Sequence, residues 1–464
     1  MRTEPQAAPY RPDPAIASLA PWLGDPVTAA DFPRHELRFR NNRWDRAVGL
    51  DNLSDADWTR HFGQFDPLPG NLPQPLALRY HGHQFRNYNP QIGDGRGFLF
   101  AQMRDGASRL LDLGTKGSGQ TPWSREGDGR LTLKGAVREI LATEMLEALG
   151  ANTSKTFSVI ETGERLWRGD EPSPTRAAVL VRLSHGHIRI GSFQRLAALR
   201  LEDEMAQLTD YCLDNFPGSP PPEGAPGGSE PAVILMHQVV ERMAVLAASY
   251  VAAGFVHGVL NTDNMNISGE SFDYGPWRWL PSWDAGFTAA YFDHSGLYSF
   301  GRQPEAMLWN AGQLAIALRL LVDTAPLVAA LERFGPLYEA ALAERFAWRL
   351  GVVPQGMEAE KALIGAAERY MRTHELAPEM LYFMHRCGRA NPGGEFGEML
   401  ARYRPAGEAG EAIWQEPAPP SLLIDEVERI WDAISAHDDW SALHAKVAAI
   451  RELGQALGEP PSAP

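Results

Sequence analysis

The sequence predicts an α+β protein of two lobes, the first rich in strands and the second mainly helical. Three observations carry that reading. Between residues 80 and 193, glycine-rich turns alternate with apolar runs of strand length. Beyond residue 195, apolar side chains recur three and four apart through one segment after another. Between helical patterns lies a polar stretch, His257-Gly-Val-Leu-Asn-Thr-Asp-Asn-Met-Asn-Ile and then Asp273-Tyr-Gly-Pro, which sets Asp263, Asn264 and Asp273 on two adjacent loops.

Composition narrows the class. A chain of 464 residues is long enough for two cores, and 44% hydrophobic with 22% charged residues fits an ordinary globular protein. The net charge of −15 argues against a nucleic acid or an anionic membrane as partner. Cys212 and Cys387 are too few for a disulfide framework or a cysteine-built zinc site, so a reducing cytoplasm is the expected compartment. The first residues lack the pattern of a signal peptide, and no uninterrupted apolar run reaches the ~18 residues of a membrane span. A monomer is expected.

In chain order, residues 1–75 are Pro-rich and read as an irregular extension anchored by Trp44, Trp58 and Phe62. A strand-rich lobe is expected over 76–195. Its first turn, Gly93-Asp-Gly-Arg96-Gly97, precedes the apolar run Phe98-Leu-Phe, and such turns bring backbone N–H groups close to a phosphate. A plain hairpin turn is the competing reading, and His81 and His83 read as structural. The next run, Leu110 to Thr115, ends on Lys116 among further glycines. Only five lysines occur in the chain, so one at a strand end stands out as a charge for nucleotide phosphates. Gly127-Asp128-Gly129-Arg130 repeats the first turn. A helix over 133–149 carries Glu139 near its start, where a carboxylate would pair with the lysine. Strands are expected over 156–160, 177–183 and 187–193, with Arg182 and Arg189 either clamping phosphate or lying on the surface. Residues 196–464 form the helical lobe, with helices at 195–214, 231–253, 306–322, 327–334, 337–350, 358–374 and 422–439. A Pro/Gly/Ser insert at 215–229 is prone to disorder, and 459–464 reads as a loose end.

The polar stretch resembles the catalytic loop of protein kinases, in which a metal-binding Asn follows the leading His by seven residues and Asp-Phe-Gly stands downstream. His257, Asn264 and Asp273-Tyr-Gly keep that arrangement, so a protein-kinase-like fold is expected. One position departs: the kinase base falls on Val259, which accepts no proton, and Asp263 is the available carboxylate. Asn264 and Asp273 suit a hard cation that completes its shell with water and phosphate oxygens.

Taken together, Leu113-Gly-Thr-Lys-Gly-Ser-Gly-Gln-Thr-Pro-Trp-Ser, Gly127-Asp-Gly-Arg, the His257 stretch and Asp273-Tyr-Gly-Pro resemble the selenoprotein O family of protein adenylyltransferases, over roughly residues 40–310. The resemblance implies a pseudokinase fold that binds ATP in a flipped orientation, transfers AMP to Ser, Thr or Tyr hydroxyls of proteins and releases pyrophosphate. By position it implies that Lys116 contacts phosphate and pairs with Glu139. Gly93, Gly95, Arg96, Asp128 and Gly129 would line the nucleotide site, with Arg182 and Arg189 clamping it. Asp263 would be the base; Asn264 and Asp273 would hold Mg²⁺, with Mn²⁺ the alternative, and Asp273 would also face the nucleotide. The family's C-terminal Cys-x-x-Cys is missing, Cys387 being the only cysteine in that half. A γ-phosphotransferase and an inactive ATP-binding pseudokinase scaffold are the competing readings.

Overall fold

The structure is a computed structural model that describes residues 5–461. Among these, eight strands form one antiparallel sheet: β1 (Gly24–Pro26), β2 (Glu36–Arg40) and β3 (Leu76–Leu78), then, after a separate hairpin of β4 (Gly82–Gln84) and β5 (Asn87–Asn89), β6 (Leu99–Arg104), β7 (Leu110–Lys116), β8 (Leu131–Thr132), β9 (Lys155–Leu166) and β10 (Thr175–Ser184). The order across the sheet is β1-β3-β6-β7-β10-β9-β2, with β8 pairing on β10. A further pair, β11 (Phe255–Val256) and β12 (Arg278–Trp279), lies outside it.

The N-terminal segment departs from the irregular extension expected of it. It supplies β1 and β2 to the sheet, and its helix Asp55–Phe62, capped by the Ser54 hydroxyl, lays Trp58 and Phe62 on one sheet face. Trp58 stacks on Phe157 with ring centroids 5.0 Å apart. Prolines hide these short strands from a periodicity reading, because the pairing that forms them is long-range.

Strand alternation decides what each sheet face does. On β7, Leu111 and Leu113 enter the aromatic core with Trp58, and so do Val179, Val181 and Leu183 of β10. The opposite parity carries Asp112, Gly114 and Lys116 on β7 and Arg182 on β10, with Gly114 directly across from Arg182. Two apolar strands thereby present a polar row to one side.

That side is bounded by the helix Leu133–Ala148, which begins on the Thr132 hydroxyl cap and buries Val137, Ile140, Leu141 and Met145. The C-terminal helices Ile424–His437 and Ser441–Leu457 pack behind it, with Lys134–Glu428 and Arg451–Glu144 ion pairs of 2.6 Å each. The helical region centres on Pro231–Ala253, which runs from a proline in its first turn to Gly254 in the left-handed conformation. It is long and apolar enough to span a membrane, yet 89% of its apolar window is buried against neighbouring helices. The insert at 215–229 folds back on this helix, where Arg242 donates to the carbonyls of Phe216 and Pro217.

Other expectations shift. Residues 187–193 do not form a strand: the helix Ile190–Leu199 starts there. The alternation of Ile188 and Ile190 imitates a strand, but Ile190, Phe193 and Leu196 make a buried helical stripe. The single helix expected over 195–214 is two, Ile190–Leu199 and Glu202–Asn215, broken at Arg200 with φ 56°. Helices Pro378–His385, Gly394–Leu400 and Ser441–Leu457 went unpredicted. The loose end expected at 459–464 lies partly outside the described residues.

Glu379, on the helix Pro378–His385, is buried beside Arg349 and Trp414. Burial pushes its pKa up to about 7, with Arg349 pulling the other way. The folded state therefore holds this proton more tightly than the unfolded chain, and stability falls as pH climbs from about 4.5 through 7. Glu379→Gln is expected to gain ~1–3 kcal/mol over the parent at pH 8 and little at pH 5, read by denaturant unfolding at both.

Candidate active site

Lys116, at the end of β7, reaches Glu139 with Nζ 2.6 Å from Oε2, and both side chains are buried. Its Nζ also donates to the Tyr274 carbonyl at 3.2 Å, so one ammonium ties sheet, helix and Asp-Tyr-Gly turn together. Burial pushes the Lys116 pKa down, and the carboxylate of Glu139 opposes it.

Asp273 is the centre of the charge pattern. Arg182 Nη1 donates to Oδ1, and Arg189 Nη2 stands 2.9 Å from Oδ2 and 3.4 Å from Asp94 Oδ1. Both guanidiniums lie over the Phe272 ring, at 4.9 and 4.7 Å from its centroid. Burial pushes the Asp273 pKa up, but Arg182, Arg189 and Lys116 outweigh it and hold the carboxyl far below the usual range. Asp273 adopts φ 57°, a left-handed conformation that a non-glycine residue keeps only when its surroundings enforce it. Arg189 is not at a strand end as expected; it is the extended residue before the helix Ile190–Leu199, bridged to Asn266.

His257 locks the two loops together. Its Nε2 donates to Phe272 O at 3.0 Å, while Nδ1 accepts from Val259 N at 3.4 Å, and burial pushes its pKa down. The Asn264 amide nitrogen donates to Val259 O at 3.0 Å, which leaves its oxygen free. Asp263 lies beside it on the turn Thr262–Asn264, with Oδ1 buried and without a hydrogen-bond partner among the described residues. Burial pushes its pKa up to about 6, although the nearby Arg189 favours the charged form. An acceptor oxygen left bare in a polar cleft is a place for a ligand or ion.

The first glycine turn packs on Trp123, and the second packs on the backbone of Gly119. A Cβ on Gly93 would stand 2.5 Å from the Trp123 ring, and one on Gly95 would stand 2.8 Å from its carbonyl. Trp123 Nε1 in turn donates to Asp25 on β1 at 2.9 Å. Asp128 is held by Arg168 through contacts of 2.8 and 3.1 Å, and Arg96 is exposed.

These parts surround one cleft of about 780 Å³, of a size for a nucleotide. Gly93, Gly95, Arg96, Lys116, Asp128, Gly129, Arg182, Arg189, Asp263, Asn264 and Asp273 all line it, with Glu139 behind Lys116. Sequence reasoning missed Tyr80, Trp123 and Arg168. Trp123 sits inside a quoted motif, but Arg168 is one arginine among many on a strand-connecting loop and gave no signal. No cluster of three His, Cys, Asp or Glu side chains forms a metal cage among the described residues. The Asn264 oxygen and the spare lone pairs of Asp273 do fit a hard cation that brings phosphate oxygens with it, and the bare Asp263 Oδ1 stands beside them.

The sequence model of the family described as Protein adenylyltransferase SelO matches residues 8–385. The chain belongs to that family. Among its relatives, the protein nucleotidyltransferase YdiU of Synechocystis sp. is 48% identical over 342 residues, covering 73% of this chain and 70% of the relative. The YdiU protein of Gloeobacter violaceus is 41% identical over 466 residues, 95% of each chain. This member of the SelO family is therefore a protein nucleotidyltransferase, an enzyme with a nucleotide and a protein as its substrates.

The buried Lys116–Glu139 pair is costly to break from one side. Glu139→Ala strands an ammonium in the core and is expected to destabilise the fold by ~3–5 kcal/mol, whereas the double change Lys116→Met with Glu139→Leu costs far less. Denaturant unfolding of both variants checks this.

Proposed function

We propose that this enzyme is a protein adenylyltransferase that transfers AMP from ATP to Ser, Thr or Tyr hydroxyls of target proteins, with the nucleotide flipped and pyrophosphate leaving. The two lobes are read as protein-kinase-like, on the strength of the Lys116–Glu139 pair and of the spacing of His257, Asn264 and Asp273. The observation that carries the reading is the carboxylate arrangement. Val259 lines the cleft where the kinase base would stand, and Asp263, four residues on, keeps a bare oxygen.

The residues divide the work. Arg182 and Arg189 hold Asp273 and face the phosphates, Lys116 adds a third positive charge, and the exposed Arg96 on the cleft lining adds a fourth. Asn264 and Asp273 would hold Mg²⁺, which when bound neutralises charge on the transferring and leaving phosphate oxygens. Asp263 accepts the hydrogen bond of the incoming hydroxyl, orients it toward the α-phosphorus and takes its proton. A pKa near 6 makes it a better base than an unperturbed aspartate while keeping it ionised at neutral pH.

ATP labelled at either the α or the γ phosphorus tests the proposal with Mg²⁺ and protein acceptors. The α label becomes protein-bound, and Asp263→Ala lowers its transfer by ~100-fold or more. Transfer of the γ label instead contradicts the reading.

A further inference from the structure

A buried row of polar side chains runs behind the arginine clamp and takes no direct part in the chemistry above. Gln102 on β6 donates through Nε2 to Asp112 Oδ1 at 2.6 Å and to the Tyr211 hydroxyl at 3.0 Å. Asp112 Oδ2 stands 3.2 Å from His187 Nδ1, and Arg182 Nε donates to His187 Nε2 at 3.1 Å. Arg182 Nη1 then reaches Asp273. Gly114, opposite Arg182 in the sheet, makes room for the ring: a Cβ there would lie 2.2 Å from His187 Nε2.

We infer that His187 is a positioning residue for nucleotide binding: bridging Asp112 to Arg182, it fixes the guanidinium plane so that Nη2 and the second Nη1 proton remain to take phosphate oxygens. The inference rests on the reading of Arg182 as a nucleotide contact. Arg182 is 4% exposed, and among the described residues its Nε and one Nη1 proton are both committed. Because Arg182 Nε donates to it, Nε2 carries no proton and the ring is neutral, with Nδ1 donating to Asp112; burial pushes the His187 pKa down, in the same direction. The Ser184 hydroxyl touches both ring nitrogens, at 3.2 and 3.3 Å, and adds no charge. Asp112 sets the tautomer, as a carboxylate behind a histidine does elsewhere. An arginine released at Nε would rotate off Asp273 and lose its fork geometry toward phosphate.

A double-mutant cycle tests this, using the α,β-methylene analogue of ATP with Mg²⁺ in isothermal titration. His187→Asn keeps a donor for Asp112 but is too short to reach Arg182, and is expected to weaken binding ~10-fold. His187→Gln, long enough to reach Nε, restores most of that loss. In an Arg182→Met background His187→Asn has no further effect, because the two residues act as one unit. Gly114→Ala, which pushes the ring aside, reproduces the loss should the asparagine variant fold poorly. In turnover, the defect falls on KM for ATP more than on kcat. Wild-type affinity in His187→Asn, or losses that simply add, overturns the inference while leaving Arg182 as a contact. If Arg182→Met binds the analogue as tightly as the parent, the reading of Arg182 fails and the inference with it.

Discussion

The cleft depends on a single carboxylate. Asp273 draws Arg182, Arg189 and Lys116 to one point, and each brings a different part of the protein: β10, the start of the helix Ile190–Leu199, and the end of β7. Concentrating three cations in a partly desolvated site is unfavourable unless an anion sits among them. In the free enzyme Asp273 fills that role; with a polyphosphate bound, the same cations have a second anion to share. The left-handed backbone of Asp273 is held by this set of contacts, together with the His257 bond to the preceding carbonyl. A site built this way is ordered before substrate arrives, which is what positioning-based phosphoryl chemistry requires.

The helix bearing Glu139 is braced from outside the family's matched region. That match ends at residue 385, whereas the ion pairs that clamp this helix come from Glu428 and Arg451. The C-terminal helices thus brace the cleft through Glu139 and Lys116 without lining it. Cys387, the cysteine nearest to this region, is unpaired, and the brace is made of ion pairs and apolar packing.

Much of the site was legible because its signals are local. A lysine at a strand end in a chain with few lysines, and an Asn and an Asp at fixed distances from a His, can be read along the sequence. The arginines gained their assignment from family resemblance alone, and what made Arg189 obscure was a misread boundary, since isoleucines at 188 and 190 alternate like a strand just where a helix begins. His187 and Gly114 were invisible for a different reason. They stand 73 residues apart in the chain, Gly114 on β7 and His187 in the turn that follows β10, and only the register of β7 against β10 puts the missing Cβ under the ring. The glycine turns carried the right location with an incomplete physical cause: Gly93 and Gly95 are needed for close packing on Trp123 as well as for any approach to phosphate. The N-terminal strands were missed because their partners lie across the chain, in β3 and β9.

The most direct measurement is a crystal structure with the α,β-methylene analogue of ATP and Mg²⁺, which binds as substrate but cannot release AMP. The account predicts the α-phosphorus as the phosphorus nearest to Asp263, with the remaining phosphates against Lys116, Arg182 and Arg189. A γ-phosphorus nearest to Asp263, with the α-phosphorus remote from it, contradicts nucleotidyl transfer at this carboxylate.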